Sequence, residues 1–305
     1  MPIKIPNSLP AHKTLENENI FVMAEQRAQS QDIRPLRIII LNLMPTKIET
    51  ETQLLRLLGN SPLQVEIELL QTATHKSKNV SQEHMLTFYK TFDDIREDRF
   101  DGMIITGAPV ELMEFEEVDY WQELCTIMEW SKTHVYSTFH ICWGAQAGLY
   151  YHYGVPKHKL ESKLSGIYPH RPLDLYHPLM RGFDESYMVP HSRHTETRRE
   201  DIALVKDLQI LSYSDIAGVH LISDMACRNF YATGHSEYDR DTIAKEYLRD
   251  EKLGLSPKIP YNYFPDNNPE NKQLNTWKSH AHLLFSNWLN YCVYQMTPYD
   301  INEIK

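Results

Sequence analysis

The chain has 305 residues, of which 42% are hydrophobic, so it is long enough to bury one large core or two small ones. Its 31 Lys and Arg face 41 Asp and Glu, and the net charge of -10 argues against the broad basic surface that nucleic acids need. No segment approaches the roughly 18 unbroken apolar residues of a membrane helix. The four cysteines are far apart and form no CxxC pair, which predicts a cytoplasmic protein with free thiols.

The first third of the chain predicts a β-α-β opening. Residues 1–35 contain several prolines and no sustained periodicity, so we expect an extended N-terminal arm. Residues 37–44 are a short apolar run, typical of a strand covered on both faces. Residues 49–58 then predict a helix, and residues 63–69 alternate between apolar and polar side chains as a second strand does.

The alternation of strands and helices continues through the middle of the chain. Residues 100–106 and 134–141 predict strands, and residues 120–130 between them predict a helix. Strands that alternate with helices are typical of an α/β fold with a mostly parallel sheet flanked by helices.

The last third adds three strands in close succession, which suits antiparallel additions to the sheet, and two helices. The predicted strands are 208–211, 218–222 and 229–233, and the predicted helices are 241–253, capped by Asp241, and 276–295. The irregular segment 257–275 contains tyrosines and a phenylalanine, so we expect it to dock onto the body of the protein. Residues 1–305 are expected to form a single domain that includes the N-terminal arm.

Cys142 lies where a predicted strand turns directly into a helix, in the segment 137–148, STFHICWGAQAG. Ligands of open α/β sheets bind beyond the carboxyl ends of the strands. A tight strand-to-helix turn exposes its side chain, and the N-terminus of the next helix offers free N–H groups and a positive dipole end that favour a thiolate. We therefore interpret Cys142 as a nucleophile, although cysteines in general are more often core residues.

A thiol nucleophile requires a base and a group that orients the base. Residues 234–238, GHSEY, follow a predicted strand and place His235 and Glu237 two residues apart, so in an extended segment their side chains share a face. One of 15 histidines is a weak signal alone, and the pair gains its meaning from Cys142 upstream. The sequence thus predicts a Cys–His–Glu triad.

Motifs that together span much of the chain resemble the homoserine O-acyltransferase family of methionine biosynthesis, within the class-I glutamine amidotransferase-like superfamily. The motifs are MPTKIETE at 44–51, TGAPVE at 106–111, HICWGAQ at 140–146 and GHSEY at 234–238. The resemblance implies a class-I glutamine amidotransferase-like, flavodoxin-like fold. Amidotransferases commonly have glycine two residues before the nucleophile, where this chain has His140, and the acyltransferase resemblance accommodates that departure.

The resemblance implies that an acyl group passes from coenzyme A to the γ-hydroxyl of L-homoserine through an acyl-cysteine intermediate. On this interpretation Cys142 attacks the thioester, His235 moves the protons and Glu237 orients His235. Such a scheme predicts ping-pong kinetics with an acyl-CoA as co-substrate, and we expect no bound cofactor. We also expect a homodimer.

Three residues are expected to support the reaction at the carbonyl oxygen. The backbone N–H of Trp143 is placed there by the turn, and a backbone donor near Glu111 or Leu112 joins it. Lys47 follows the first predicted strand and could add positive charge to the site, or could equally be a solvated lysine at the start of a helix.

For homoserine, the resemblance points to Lys163, Ser192 and Arg249. Arg249 lies on a predicted helix, from which a guanidinium can hold a carboxylate through two parallel hydrogen bonds, although a helical arginine is usually solvated. His191 and His194 have a His-x-x-His spacing, but no third ligand at metal-like spacing accompanies them, so we expect no metal.

The choice of acyl donor depends on Glu111. In the family that the chain resembles, glutamate at this place accompanies acetyl-CoA and glycine accompanies succinyl-CoA. The physics agrees, because a succinyl carboxylate and Glu111 would repel by several kcal/mol in a partly desolvated pocket. Alternatively, Glu111 belongs to an acidic surface run with Glu114, Glu116 and Glu117 and points into water.

Three alternative functions are compatible with parts of this pattern. Succinyl-CoA is the alternative donor. A glutamine amidotransferase would use the same triad to release ammonia, but the chain leaves no room for a synthetase domain that consumes it. A ligand sensor with an incidental cysteine is the non-catalytic alternative.

Overall fold

The computed structural model describes residues 3–6, 8–17, 22–23, 34–74 and 80–304. The strands are β1 (Ile3–Lys4), β2 (Val22–Met23), β3 (Leu36–Leu41), β4 (Val65–Leu70), β5 (Tyr89–Lys90), β6 (Phe100–Ile105), β7 (Val135–Ile141), β8 (His158–Pro172), β9 (Tyr187–Glu196), β10 (Leu208–Ser214), β11 (Gly218–Asp224) and β12 (Asn229–Ala232). The α-helices are α1 (Pro10–Asn17), α2 (Lys47–Leu58), α3 (Gln82–Phe88), α4 (Phe92–Ile95), α5 (Trp121–His134), α6 (Trp143–Tyr153), α7 (Arg199–Ala203), α8 (Thr242–Lys252) and α9 (Lys278–Asn287).

These strands form a 12-stranded sheet in the order β2-β1-β4-β3-β6-β7-β12-β11-β10-β8-β9, with β5 beside β4. Neighbours from β2 through β7 to β12 are parallel. From β12 onward the pairs with β11, β10, β8 and β9 are antiparallel. The mostly parallel α/β sheet with antiparallel additions is therefore confirmed.

Strand β3 packs against helices on both faces of the sheet. Its residues Ile38, Ile39 and Ile40 are fully buried, as the apolar run predicts. Because side chains alternate along a strand, Ile38 and Ile40 pack in the cluster that contains the leucines of α2, whereas Ile39 packs in the cluster that contains α5. Each such side chain stabilises the fold by roughly 1.5–3 kcal/mol.

The expectation of an extended N-terminal arm is wrong for residues 10–17, which form α1. Ala11 and Leu15 of this helix are buried in the same core cluster as Ile5 and Leu9. Pro10 is compatible with the helix because the first turn does not need its missing N–H. Residues 18–21 and 24–33 of the expected arm lie outside the described residues.

The long hairpin of β8 and β9 was not predicted from the sequence. The two strands pair in antiparallel fashion with Ser165 opposite Ser192, and their register shifts between Lys159 and Leu164. Most of β8 before Gly166 is exposed or half-buried, so it lacks the alternation of apolar and polar residues that marks a strand covered on one face. This hairpin supplies one wall of the site described below.

The irregular segment 257–275 docks onto β8, as expected. Tyr261 donates its N–H to the Ser165 carbonyl at 2.9 Å and accepts from the Ile167 N–H at 2.8 Å. Gly166 lies between them with φ +139°, and a Cβ there would fall 2.3 Å from the Tyr261 carbonyl oxygen. Only glycine fits this close approach of two backbones.

The two predicted C-terminal helices need small corrections. Asp241 precedes α8, but its side chain makes no capping hydrogen bond, and it pairs instead with Lys245 at 2.9 Å. The helix predicted at 276–295 is α9 followed by a π-helical segment, Trp288–Tyr294. Among the described residues, no helix is long and apolar enough to cross a membrane.

Candidate active site

Cys142 occupies a strained turn between β7 and α6. Its backbone has φ 52° and ψ -116°, a conformation that L-residues rarely adopt and that costs on the order of 1–3 kcal/mol. The Cys142 N–H donates to the Ala232 carbonyl of the neighbouring strand at 2.7 Å. A Cβ on Gly144 would fall 2.6 Å from the Thr106 carbonyl oxygen, so glycine lets α6 start close against the end of β6. This is the turn expected from residues 137–148.

The structure brings the three predicted triad residues together. His235 and Glu237 are buried, and His235 Nδ1 lies 2.6 Å from Glu237 Oε1. A second hydrogen bond links His235 to the half-buried Cys142. Burial alone would lower the pKa of His235, but the negative charges of Cys142 and Glu237, and the hydrogen bonds to both, raise it well above its usual value. The imidazolium form of His235 is therefore favoured.

Parallel strands fix the relative positions of nucleophile and base. β12 pairs with β7 so that Ala232 lies opposite Ile141, one residue before Cys142. The loop after β12 is then held by a hydrogen bond of 2.8 Å from the His235 N–H to the Pro190 carbonyl of β9. Both groups therefore emerge at the carboxyl ends of adjacent parallel strands, where α/β sheets bind their ligands.

Tyr238 is a functional residue that sequence reasoning missed. Its ring stacks on the imidazole of His235, with centroids 4.1 Å apart and planes 15° apart. Its hydroxyl donates to Glu246 Oε1 at 3.1 Å, and its carbonyl accepts from Trp277 Nε1 at 3.2 Å. The only available signal was its place in the GHSEY motif, next to Glu237.

A cavity of about 470 Å³ opens in front of Cys142 and His235. It is bordered by the turns after β3 and β6, by β8 and β9, and by α8. Gly107 keeps space beside the sulfur, because a Cβ there would lie 3.8 Å from Cys142 Sγ and 3.2 Å from its Cβ.

The three residues expected to bind homoserine border this cavity together, and a fourth joins them. Lys163 Nζ lies 3.2 Å from Glu246 Oε2 and 3.1 Å from Asp250 Oδ2. Ser192 also donates its hydroxyl to Glu246, and Arg249 donates to Asp250 Oδ1 at 2.8 and 2.9 Å. Glu246 was missed, although its place three residues before Arg249 puts both on one side of α8.

Glu111 lies in the turn after β6 and borders the cavity. It is half-buried, whereas Glu114, Glu116 and Glu117 are exposed. Its Oε2 accepts the His194 N–H of β9 at 2.9 Å. A carboxylate held in this way stays in the cavity wall and does not belong to a solvated acidic run.

Of the three residues expected at the carbonyl oxygen, Leu112 borders the cavity, Trp143 lies at the turn beside it, and Lys47 lies elsewhere. Trp143 is the first residue of α6, where helix geometry provides no acceptor four residues earlier for its N–H. Leu112 borders the cavity. Lys47 does not, because its buried ammonium donates to the Asn42 carbonyl beneath the turn after β3. Burial lowers the pKa of Lys47 to about 8, although the charge of Glu51 opposes this.

His191 and His194 face different surroundings, as residues three apart on a strand do. His191 is fully buried with its Nε2 3.3 Å from His170 Nε2, and burial lowers its pKa well below the usual value. His194 borders the cavity. No group of three or more His, Cys, Asp or Glu side chains in the described part of the chain is arranged to hold a metal ion.

Among solved structures, the chain is similar to two glutamine amidotransferases. One from Thermotoga maritima superposes with a TM-score of 0.54 at 12% identity, covering 86% of this chain and 100% of that chain. Another from Methylobacillus flagellatus gives 0.50 at 9% identity, covering 85% and 95%. At such identities the likeness concerns the fold alone, and it confirms the predicted glutamine amidotransferase-like architecture.

Sequence comparison identifies the family. Homoserine O-acetyltransferase from Acetivibrio thermocellus is 62% identical over 305 residues, 100% of both chains. Homoserine O-acetyltransferase from Methanomethylophilus alvi is 59% identical over 304 residues, 100% of this chain and 98% of that one. The family model described as "HTS: Homoserine O-succinyltransferase" matches residues 2–299. The chain therefore belongs to the homoserine O-succinyltransferase family, as the resemblance of its motifs predicts.

Proposed function

We propose that this protein is an L-homoserine O-acetyltransferase, which transfers acetyl from acetyl-CoA to the γ-hydroxyl of L-homoserine. The observation that carries the proposal is the hydrogen-bonded set of Cys142, His235 and Glu237 at a cavity that Glu111 also borders. The names of the relatives at 62% and 59% identity support the same activity.

In the first half-reaction, the Cys142 thiolate attacks the carbonyl carbon of the thioester. The carbonyl oxygen becomes an oxyanion, for which the Trp143 N–H is available as a donor; one such donor contributes about 3 kcal/mol. When the intermediate collapses, the bond to the CoA sulfur breaks and His235 gives its proton to that sulfur. Cys142 is left acetylated and His235 neutral.

In the second half-reaction, the hydroxyl of homoserine attacks the acetyl-cysteine. His235 Nε2 takes the hydroxyl proton, while Glu237 holds Nδ1 and stabilises the imidazolium that forms. Collapse of the intermediate forms the ester and returns the Cys142 thiolate. Each half-reaction thus uses the same sulfur and the same imidazole, which gives ping-pong kinetics.

The zwitterionic end of homoserine fits the charges on α8. Glu246 can accept hydrogen bonds from its ammonium group, and Arg249 and Lys163 can donate to its carboxylate. Lys163 and Ser192 donate hydrogen bonds to Glu246, and Arg249 donates to Asp250. Substrate binding would exchange these internal contacts for contacts with the amino acid.

Glu111 supports acetyl over succinyl as the acyl group. Its carboxylate is tied to the wall by the His194 N–H, so it cannot swing away from an incoming negative charge at no cost. A succinyl group would bring a second carboxylate into this half-buried surrounding, and like charges there repel by several kcal/mol. Succinyl transfer is the second candidate, because it is the activity that the family description names.

Steady-state assays of homoserine with acetyl-CoA and succinyl-CoA test this proposal. Wild type should prefer acetyl-CoA, and Glu111→Gly should shift the ratio of kcat/KM values toward succinyl-CoA by at least tenfold, about 1.4 kcal/mol. Acetyl-CoA alone should leave an acetyl adduct on Cys142, visible by intact mass. Preference of the wild type for succinyl-CoA would overturn the donor, and full activity of Cys142→Ser would overturn the mechanism.

We further propose a single domain over residues 1–305 that acts in the cytoplasm as a homodimer. The four free thiols support a reducing compartment. Sedimentation equilibrium at several protein concentrations tests the dimer, and a monomer at all of them would contradict it.

A further inference from the structure

A second cavity, which we call the donor cavity, adjoins the catalytic one. It has a volume of about 610 Å³ and lies between β8, the C-terminal half of α8 and the turn after α8. Pro109, Lys163, His194 and Arg249 border both cavities, so the two meet along a shared wall. The chemical steps described above take place entirely in the catalytic cavity and leave the donor cavity without a role.

The walls of the donor cavity combine apolar and hydroxyl groups. Leu253, Leu255 and Pro257 provide apolar surface, and Ser162 and Ser165 provide hydroxyl groups. Small-molecule sites typically have this mixture of mostly apolar walls and a few polar groups that fix orientation. A ligand with a flexible arm of methylene and amide groups can contact the apolar side chains with the first and the serine hydroxyls with the second.

Positive charge predominates along the donor cavity. Lys163, Arg249 and Lys258 border it, against the single carboxylate of Asp250. Lys163 and Arg249 both pair with Asp250. Lys258 is exposed and donates to the Ser162 hydroxyl at 3.2 Å, and no carboxylate among the described residues pairs with it. Its ammonium is therefore available to an anionic ligand.

The rim of the catalytic cavity where α8 meets the start of α2 suits an anion less well. Lys245 is the cation there, and it lies 3.4 Å from Glu49 and 2.9 Å from Asp241. Two carboxylates thus flank one ammonium. A polyanionic ligand that approached from this side would meet a net negative charge.

We propose that the donor cavity binds the pantetheine arm and the phosphates of the acyl-CoA donor, with Lys258 facing the phosphates. The thioester then reaches Cys142 past Pro109 and His194. This inference rests on the proposed function, since it assigns a place to the donor of that reaction. Because CoA leaves before homoserine enters a ping-pong cycle, Lys163 and Arg249 can serve the two substrates in turn.

The test compares two donors on variants of Lys258. S-acetylpantetheine carries the same acetyl thioester as acetyl-CoA but no phosphates. Lys258→Ala should raise the KM for acetyl-CoA by roughly fivefold, as expected for loss of a solvent-exposed ion pair, and Lys258→Glu should raise it further. Neither variant should change the KM for S-acetylpantetheine. Lys206→Glu is the matched control, because Lys206 is exposed and borders neither cavity.

Equal effects of Lys258→Glu on both donors, or an equal effect of Lys206→Glu on acetyl-CoA, would overturn the inference. Equilibrium binding of CoA alone separates this outcome from failure of the proposed function. CoA binding that weakens in Lys258→Glu, in an enzyme that acetylates no homoserine, would support the donor cavity and refute the activity. Unchanged CoA binding in an enzyme that does acetylate homoserine would refute the donor cavity alone.

Discussion

At the scale of single residues, the charge of His235 depends on two anions that lie on either side of it. Glu237 contacts Nδ1 at 2.6 Å, and Cys142 supplies the second negative charge. Burial lowers the pKa of His235, and the charges of Glu237 and Cys142 together raise it. If one of the two anions is removed, the other has to offset the whole desolvation cost of the imidazolium. The protonation of the base and that of the nucleophile are therefore coupled.

Replacement of Glu237 by Gln tests this coupling. Loss of the carboxylate charge lowers the pKa of His235, so the imidazolium supports the Cys142 thiolate less, and the thiolate forms only at higher pH. We expect the pH profile of Cys142 alkylation by iodoacetamide to move upward, and kcat/KM to fall by at least about 100-fold. Cys142→Ser serves as the control for alkylation elsewhere. An unchanged alkylation profile would show that Glu237 does not act on the charge of His235.

Tyr238 contacts two parts of the site. Its ring stacks on the base His235, and its hydroxyl donates to Glu246, which we assign to homoserine binding. Substitutions of Tyr238 can therefore separate effects on acetylation from effects on homoserine binding. Tyr238→Phe keeps the ring and removes one hydrogen bond to a carboxylate, worth about 1.5–3 kcal/mol. We expect the KM for homoserine to rise at least roughly tenfold and the rate of Cys142 acetylation by acetyl-CoA to stay unchanged. Tyr238→Leu also removes the stack and should slow acetylation, as measured by rapid-quench mass spectrometry. A slower acetylation in Tyr238→Phe would contradict this division of roles.

At the scale of elements, helix α2 begins with a buried lysine whose pKa is lowered to about 8 from its ordinary 10.5. Between these two pH values the unfolded chain binds more protons at Lys47 than the folded protein does. The free energy of unfolding therefore rises with pH in this interval, by up to about 3 kcal/mol. Below pH 8 both states carry the proton, and the burial cost is fully present.

Lys47→Met removes this titration from the folded protein. We expect the free energy of unfolding of wild type, relative to Lys47→Met, to increase by about 2–3 kcal/mol between pH 7 and pH 10. Urea unfolding at several pH values measures the difference, in which the titrations shared by both proteins cancel. A constant difference would mean that the ammonium of Lys47 is solvated and not buried under the turn.

The sequence predicts those elements whose burial produces a clear pattern of apolar residues. Strand β3 and the strand before Cys142 are buried on both faces, so their apolar runs identify them. Strand β4 alternates between buried and half-buried residues, and that period of two identifies it. β8 is half-buried or exposed before Gly166, so its own sequence carries little signal. Lys163 and Ser192 were therefore found only through the resemblance, while their neighbour Glu246 was missed.

The helix near the start of the chain was not predicted for a related reason. Helix α1 is short and begins at Pro10, and local pattern alone favoured an irregular arm. Its two buried residues become apolar contacts only when the helix lies against the sheet. Tertiary packing here decides a structure that local propensity leaves undecided.

At the scale of the whole molecule, the site joins the parallel half of the sheet to the antiparallel half. The nucleophile and base directly follow β7 and β12 in the centre of the sheet. The walls come from the turns after β3 and β6 on the parallel side and from β8, β9 and α8 on the other. The turn after α8, with Gly254 and Ser256 at positive φ, is exposed. We therefore expect the cavity to open for substrate exchange on the side of β8 and the turn after α8.

Hydrogen exchange measured by mass spectrometry tests this expectation. Amides of β7 and β12 should be the slowest to exchange, and those of residues 253–258 should be faster by at least tenfold. CoA should slow exchange at residues 253–258 and leave β7 and β12 unchanged. Equal protection of all these segments in the free protein would contradict a mobile wall.

The pairing of β7 with β12 also has a kinetic consequence. Adjacent strands of a sheet lie about 4.8 Å apart, so Cys142 and the loop that carries His235 begin side by side. The hydrogen bond of 2.8 Å from the His235 N–H to the Pro190 carbonyl then holds that loop in place. No lid has to close and no loop has to fold to assemble them. Acetylation of the enzyme should thus begin within the mixing time of a stopped-flow experiment, as a burst without a lag, and a preceding slow isomerisation would show that the ladder does not hold the two groups in place.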